Sequence, residues 1–96
     1  MAVRIKPYFT LRRIMGNQQF MEIDSDSKTL EDLLENLITM YGPEFRAVVL
    51  DAETGGMNPN IQILVNGRSY RNLPHKLKTL LKSGDEISLF PPIAGG

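Results

Sequence analysis

Thr29-Leu30-Glu31-Asp32-Leu33-Leu34-Glu35-Asn36-Leu37-Ile38-Thr39-Met40-Tyr41-Gly42-Pro43 is the stretch from which the fold is read. Leu30, Leu33, Leu34, Leu37, Ile38 and Tyr41 recur at i, i+3, i+4, i+7, i+8 and i+11, which places one apolar stripe along a helix. Thr29 suits the N-cap, and Asp32, at the third helical position, makes a weak analogue of a capping box. Glu31 and Asp32 also sit where the positive end of the helix dipole favours carboxylates. Gly42 can take the left-handed cap and Pro43 cannot continue the helix, so the segment stops there. Such a stripe is a core-facing surface rather than a cofactor site.

Upstream, Val3 and Ile5 alternate with Arg4 and Lys6, predicting a strand over residues 3–9, with Pro7 marking an edge or a bulge near its end. Leu11 to Asn17 reads as a turn region broken at Gly16-Asn17, and Gln19 to Ile23 as a short returning strand. Downstream, Pro43 to Leu50 supports two readings. Proline at a first helical position and the spacing of Phe45, Val48 and Val49 favour a second short helix, while Val48-Val49-Leu50 also suits a strand. Asp51 to Asn60, with Gly55-Gly56 and Asn58-Pro59-Asn60, is a loop; no Gly-Lys-Ser/Thr follows its glycines, so a phosphate-cradling role is set aside. Ile61 to Val65 is a strand, and Asn66-Gly67 predicts a type I′ hairpin into Arg68-Ser69-Tyr70. Leu73, Leu77, Leu80 and Leu81 suggest one or two helical turns before Ser83-Gly84-Asp85 leads into a last strand, Glu86 to Phe90. Strands on both sides of one long helix predict an α+β domain: a mixed sheet of four to five strands with the helix across one face. The first and last strands then lie side by side in its middle.

Bulk properties narrow the classes further. The 96 residues are enough for one core and too few for two. A formal net charge of zero argues against a nucleic-acid partner. Charge is nonetheless segregated: Glu22, Asp24, Asp26, Glu31, Asp32 and Glu35 face only Lys28, whereas Thr54 to Gly84 holds Arg68, Arg71, Lys76, Lys78 and Lys82 and no acid. This reads either as two solvated faces or as a bipolar molecule whose basic side steers an acidic partner. The absence of cysteine excludes disulfides, a thiolate nucleophile and thiolate metal ligands. Met1 to Lys6 lacks the apolar core of a signal peptide, and no apolar run approaches the roughly 20 residues of a membrane span. A cytoplasmic protein without a membrane partner is expected.

Catalytic groups are sparse. His75 is the one histidine, in a basic link beside Pro74 and Lys76. Serines 25, 27, 69, 83 and 88 have no nucleophile-elbow context, and no set of residues supplies base, nucleophile and oxyanion donors together. Neither a metal site nor enzymatic activity is expected. The remaining candidate is the end of the chain, Phe90-Pro91-Pro92-Ile93-Ala94-Gly95-Gly96. Two glycines leave the final carboxylate on a stretch without side chains that can thread a narrow channel. Pro91-Pro92 favours extended polyproline II and stiffens the exit from the strand. Residues 1–90 are therefore read as the domain and 91–96 as a tail. The Gly96 carboxylate becomes electrophilic if another protein adenylates it with ATP, since the mixed anhydride leaves readily when sulfur or an amine attacks.

Gly84-Asp85-Glu86-Ile87-Ser88-Leu89-Phe90-Pro91-Pro92-Ile93-Ala94-Gly95-Gly96 resembles the C-terminus of ubiquitin-like sulfur carriers, most nearly the small subunits of molybdopterin synthase, which end Gly-Asp-Glu-Val-x-x-Phe-Pro-Pro-Val-x-Gly-Gly. Leu11-Arg12-x-x-x-Gly16 and Val65-Asn66-Gly67 match as well, whereas Arg13 replaces a frequent glutamate and the Asp51–Asn60 loop is longer than in the shortest members. The resemblance implies a β-grasp fold. It implies an E1-like enzyme that adenylates Gly96, a sulfur donor protein that converts it to a thiocarboxylate, and a large synthase subunit that accepts the tail. No cofactor would be bound by the chain itself; ATP belongs to the activating partner. Gly96 would carry the sulfur, Gly95 would provide clearance, and Phe90, Pro91, Pro92, Ile93 and Ala94 would line the partner's tunnel. Arg12 and the outward apolar face of the sheet, with Tyr8 among its residues, would dock the partner, although Tyr8 equally suits the core. Open alternatives are a carrier for thiamine, cysteine or another pathway, a protein modifier joined through Gly96, and an interaction module with an inert tail.

Overall fold

The structure, a computed structural model, describes residues 2–24 and 28–92. The chain runs β1 (Ala2–Pro7), α1 (Thr10–Ile14), β2 (Met21–Asp24), α2 (Leu30–Tyr41), α3 (Pro43–Val49), β3 (Gln62–Val65), β4 (Arg68–Ser69) and β5 (Glu86–Phe90). Two single 3-10 turns, Tyr70–Asn72 and Lys76–Lys78, carry it from β4 towards β5. The sheet order is β2-β1-β5-β3-β4; β1 and β5 are neighbours, as the sequence predicts, and the structure shows them parallel. The other pairs are antiparallel.

The stripe of α2 is buried at Leu30, Leu33, Leu34 and Leu37. It packs on one face of the sheet, where Val3, Ile5, Ile63, Val65, Ile87 and Leu89 point inward. Period-2 alternation accounts for that choice in β1 and β3, whose inward residues are apolar and whose outward ones include Arg4, Lys6 and Gln62. The N-cap is a full capping box: the Thr29 hydroxyl accepts from the Asp32 N–H at 3.1 Å, and the Thr29 N–H donates to the Asp32 carboxylate at 3.2 Å. Bonding from the Thr29 backbone, and then from its side chain, holds the Asp32 carboxyl below its ordinary pKa of 3.8. A lowered folded pKa means this stabilisation is complete above the ordinary aspartate range and fades as pH falls through the lowered value. Replacing Thr29 with alanine is expected to cost about 1 kcal/mol in urea unfolding at neutral pH. The difference from wild type should shrink in acid.

Pro43 to Val49 resolves as helix, with Phe45 and Val49 buried. Leu50 only bridges to Met57. The predicted turn over residues 11–17 is instead α1 followed by a break. Leu11 and Met15, four apart, are both buried, so tertiary packing captures one helical turn that is too short to be recognised by periodicity. Gly16 and Asn17, with φ of 91° and 61°, then end it. Strand β1 stops at Pro7 and not at residue 9. Its even-numbered residues donate to the β5 side, as Arg4 N–H does to Asp85 and Tyr8 N–H to Leu89. The N–H that Pro7 lacks therefore faces β2, whose pairing has already ended at Ile5 opposite Met21.

The expected hairpin forms, with φ of 52° at Asn66 and 86° at Gly67, both positive as a type I′ turn requires. Asn66 also accepts from the Glu86 N–H and donates to Asp85, each at 2.9 Å, which ties the turn to the start of β5. Two of the basic residues of the segregated segments find partners within the fold while remaining exposed. Arg71 donates to the carbonyls of Ile61 and Pro59, each at 2.8 Å, fastening the end of the long loop to the 3-10 turn that follows β4. Lys78 pairs with Glu31 across the two oppositely charged segments, and that bond raises the lysine pKa. Among the described residues, no helix is long and apolar enough to cross a membrane.

Candidate functional site

β5 is the central strand, paired with β1 on one side and β3 on the other. Its inward residues Ile87 and Leu89 are fully buried, and the alternation continues past its end: Phe90 faces outward and is half-buried, while Pro91 is buried again. Pro92, half-buried, is the last described residue. Ile93, Ala94, Gly95 and Gly96 lie outside the described residues. The root of the terminal segment is thus fastened by the ladder bonds on both sides of β5 and by the burial of Pro91.

Tyr8 lies beside that root. Its N–H donates to the Leu89 carbonyl at 3.0 Å, extending the parallel ladder one residue past Pro7. Its ring stacks on Phe90 with centroids 4.3 Å apart and planes 8° from parallel. This decides between the two expectations for Tyr8: it belongs to the outward face and not to the core. Arg12, from α1, donates from Nε to the Pro7 carbonyl at 3.2 Å and holds its guanidinium carbon 5.6 Å from the centre of the Tyr8 ring. The fold therefore brings Tyr8, Arg12 and Phe90 together at one end of the sheet, although Phe90 is 78 positions from Arg12 (90 − 12).

The outward apolar surface is small. Cross-strand register sets Gln62 opposite Phe90 and Leu64 opposite Ser88. Leu64 is half-buried on the same face, and Lys6 and Glu86 pair at 3.5 Å nearer the far end. Tyr8, Phe90 and Leu64 thus make an apolar centre with a polar surround, the pattern of a protein-docking patch and not of a small-molecule pocket. Sequence reading missed one residue at this end, Phe9. It is 69% exposed and its ring centre is 6.5 Å from that of Tyr8. Alternation alone points the wrong way: Phe9 follows Val3, Ile5 and Pro7 in the inward, odd-numbered set of β1, and only the turn at φ 55° brings it to the surface.

Elsewhere the described residues gather no catalytic set. No group of three or more His, Cys, Asp or Glu side chains is placed to hold a metal. His75 is exposed at the start of the second 3-10 turn, far in sequence from the Tyr8 cluster. Open clefts lie along α2 and α3, lined by residues such as Arg46, Leu50 and Gly55 or Glu35, Ile38 and Met57.

Comparison with known proteins gives a consistent result. The sequence profile of the ThiS family matches residues 9–96. A protein of Archaeoglobus fulgidus named as a candidate sulfur carrier is 36% identical over 80 residues, covering 83% of this chain and 88% of its own length. Small archaeal modifier protein 3 of Haloferax volcanii is 30% identical over 96 residues, covering all of both chains. Among solved structures, small archaeal modifier protein 1 of Methanosarcina acetivorans superposes with a TM-score of 0.83 at 30% identity, covering 99% of this chain and 96% of its own. A candidate molybdopterin converting factor subunit 1 of Pyrococcus furiosus superposes with a TM-score of 0.71 at 25% identity, covering 97% and 99%.

Proposed function

This chain belongs to the ThiS family, with a β-grasp, ubiquitin-like fold, and from that premise we propose that it carries sulfur on its own terminal carboxylate. Sulfur carriers and modifiers of this kind generally work with E1-like activating enzymes, and such an enzyme is the first partner proposed. A carboxylate resists nucleophiles because its charge repels them and its oxygen leaves poorly. Attack of the Gly96 carboxylate on the α-phosphorus of ATP, in the partner's site, releases pyrophosphate and leaves an acyl-adenylate. The outer sulfur of a donor protein's persulfide then adds at the carbonyl carbon and expels AMP, and a second thiol attacks the donor's own sulfur, which frees the thiocarboxylate and leaves a disulfide between donor and thiol. The observation that carries the reading is that the Phe90–Gly96 segment springs from the central strand, beside the aromatic patch of Tyr8 and Phe90. A domain so built fixes Phe90, Pro91 and Pro92, the root of that segment, relative to a docking surface.

The proposed recipient is the large subunit of a molybdopterin synthase, which would take the thiocarboxylate's sulfur and return a carboxylate for recharging. Phe90-Pro91-Pro92 ahead of the glycines supports this, as does the likeness to the Pyrococcus furiosus chain. A second reading, a modifier joined to lysine through Gly96, is supported by full-length similarity to the Haloferax volcanii modifier. Incubation with the organism's E1-like enzyme, ATP and a sulfur donor separates them. Replacement of one oxygen by sulfur in the intact mass, followed by sulfur delivery to the synthase, is the expected result. Lysine-linked adducts without sulfur delivery would favour the modifier. An unchanged mass with a competent partner would leave only an inert module.

The docking patch makes a further prediction. Phe90→Ala removes half of the ring stack at the centre of the proposed interface, where aromatic anchors typically contribute about 2 kcal/mol or more. The KM for charging is expected to rise about tenfold or more, with little change in kcat. Tyr8→Ala should act on the same contact, so the double variant should lose less than the two single losses combined.

A further inference from the structure

The backbone at Phe9 has φ 55° and ψ −127°, and the Leu11 N–H donates to the Tyr8 carbonyl at 3.2 Å. Those angles and that bond describe a type II′ turn with Phe9 at its first central position, where the conformation asks for glycine. A Cβ in this region is strained, and a bulky aromatic there is a genuine outlier. The turn itself has a clear cause. Tyr8 must stay on the outward face to stack on Phe90, whereas Leu11, three residues later, is fully buried on the inward side. Geometry therefore explains the turn but not the phenylalanine. Burial does not compensate the strain either, because the ring is 69% exposed and its nearest aromatic neighbour, Tyr8, is 6.5 Å away and tilted by 48°.

We propose that Phe9 is a recognition residue for the adenylating partner, its exposed ring entering an apolar pocket on that enzyme beside the channel that receives the tail. This rests on the carrier reading above and deepens it. An enzyme that reaches Gly96 must cover the ground around Pro91 and Pro92, only a few residues back along the chain. Tyr8 is bonded to Leu89 and stacked on Phe90, so the residue that follows it stands at the rim of that ground. The strained turn holds the ring outward, where a relaxed backbone would let it fold against the sheet.

The test compares wild type, Phe9→Gly and Phe9→Tyr in charging by the organism's E1-like enzyme with ATP, following pyrophosphate release, and in thermal unfolding. Phe9→Gly relieves the turn, so its thermal midpoint should rise by about 4–8 °C. Its KM for charging should nevertheless rise about tenfold or more at unchanged kcat. Phe9→Tyr keeps the ring and the strain and should match wild type in both. A more stable glycine variant that charges like wild type would overturn the inference while leaving the carrier reading intact. A glycine variant less stable than wild type would also overturn it, because the ring would then be holding the turn. Failure of the wild-type chain to be charged would overturn the carrier reading and this inference with it.

Discussion

Removal of Gly95 and Gly96 is expected to abolish sulfur loading while leaving the domain folded, with a thermal midpoint within about 2 °C of wild type. Two physical changes act together at the new terminus. The carboxylate retreats by about 7 Å, two extended residues, from where the activating enzyme's nucleotide would meet it. It also moves onto Ala94, whose methyl group sits where a channel built for glycine leaves no space. Near-attack geometry requires reacting atoms to approach to about 3–3.5 Å, so a displacement of this size leaves no residual route. The core, by contrast, runs from Val3 to Leu89 among the described residues, all of them upstream of the two glycines. Intact-mass measurement after incubation with the E1-like enzyme, ATP and a sulfur donor reads the first effect, and circular dichroism on heating reads the second. Sulfur on the shortened chain would show that Gly96 is not the acceptor. A large fall in midpoint would show that the glycines belong to the fold.

Phe45→Ala should do the reverse, lowering stability by about 3–5 kcal/mol while sparing the chemistry of the folded fraction. Phe45 is fully buried at the start of α3, with its ring 5.9 Å from that of Tyr41 at the end of α2. It fills the corner where the chain turns sharply at Gly42, so truncation leaves a cavity bounded by two helices that cannot both close on it. Small domains have about 5–15 kcal/mol in total, so this one substitution removes a large part of the margin. Urea unfolding should show a lower midpoint at an unchanged m-value. Charging in the absence of denaturant should keep its wild-type KM once corrected for the folded fraction. A raised KM after that correction would mean that α3 takes part in docking.

Local patterns were enough for part of this. The stripe of α2, its cap at Thr29, the stop at Gly42-Pro43, the Asn66-Gly67 hairpin and the strand Glu86 to Phe90 each depend on neighbours within a few residues. Each formed as expected, except that Gly42, at φ 81° and ψ −158°, ends the helix outside the left-handed helical cap. The segment from Leu11 to Met15 did not, because a single helical turn is unstable alone and exists only where Leu11 and Met15 find the core. Pro43 to Leu50 stayed ambiguous for a similar reason: its apolar spacing suits either element until Phe45 and Val49 are seen to pack inward. The partners of individual charges were equally out of reach, since Lys78 closes on Glu31 and Arg71 turns back onto Pro59 and Ile61 only in the folded chain.

Without any coordinates, periodicity and turn chemistry indicated every element of the sheet and its long helix but not α1, the resemblance of the terminal segment implied the β-grasp, and Gly96 stood out as the candidate for loading. The order of residues could not place the two rings of the proposed docking patch side by side. Tyr8 and Phe90 are 82 positions apart (90 − 8), and only the parallel pairing of β1 with β5 stacks one ring on the other. Nor could it reveal that Phe9 occupies a glycine conformation, since that follows from Tyr8 and Leu11 being claimed by opposite faces of the same sheet. Contacts between distant residues are decided by how the sheet closes, and that is settled only when the whole chain packs.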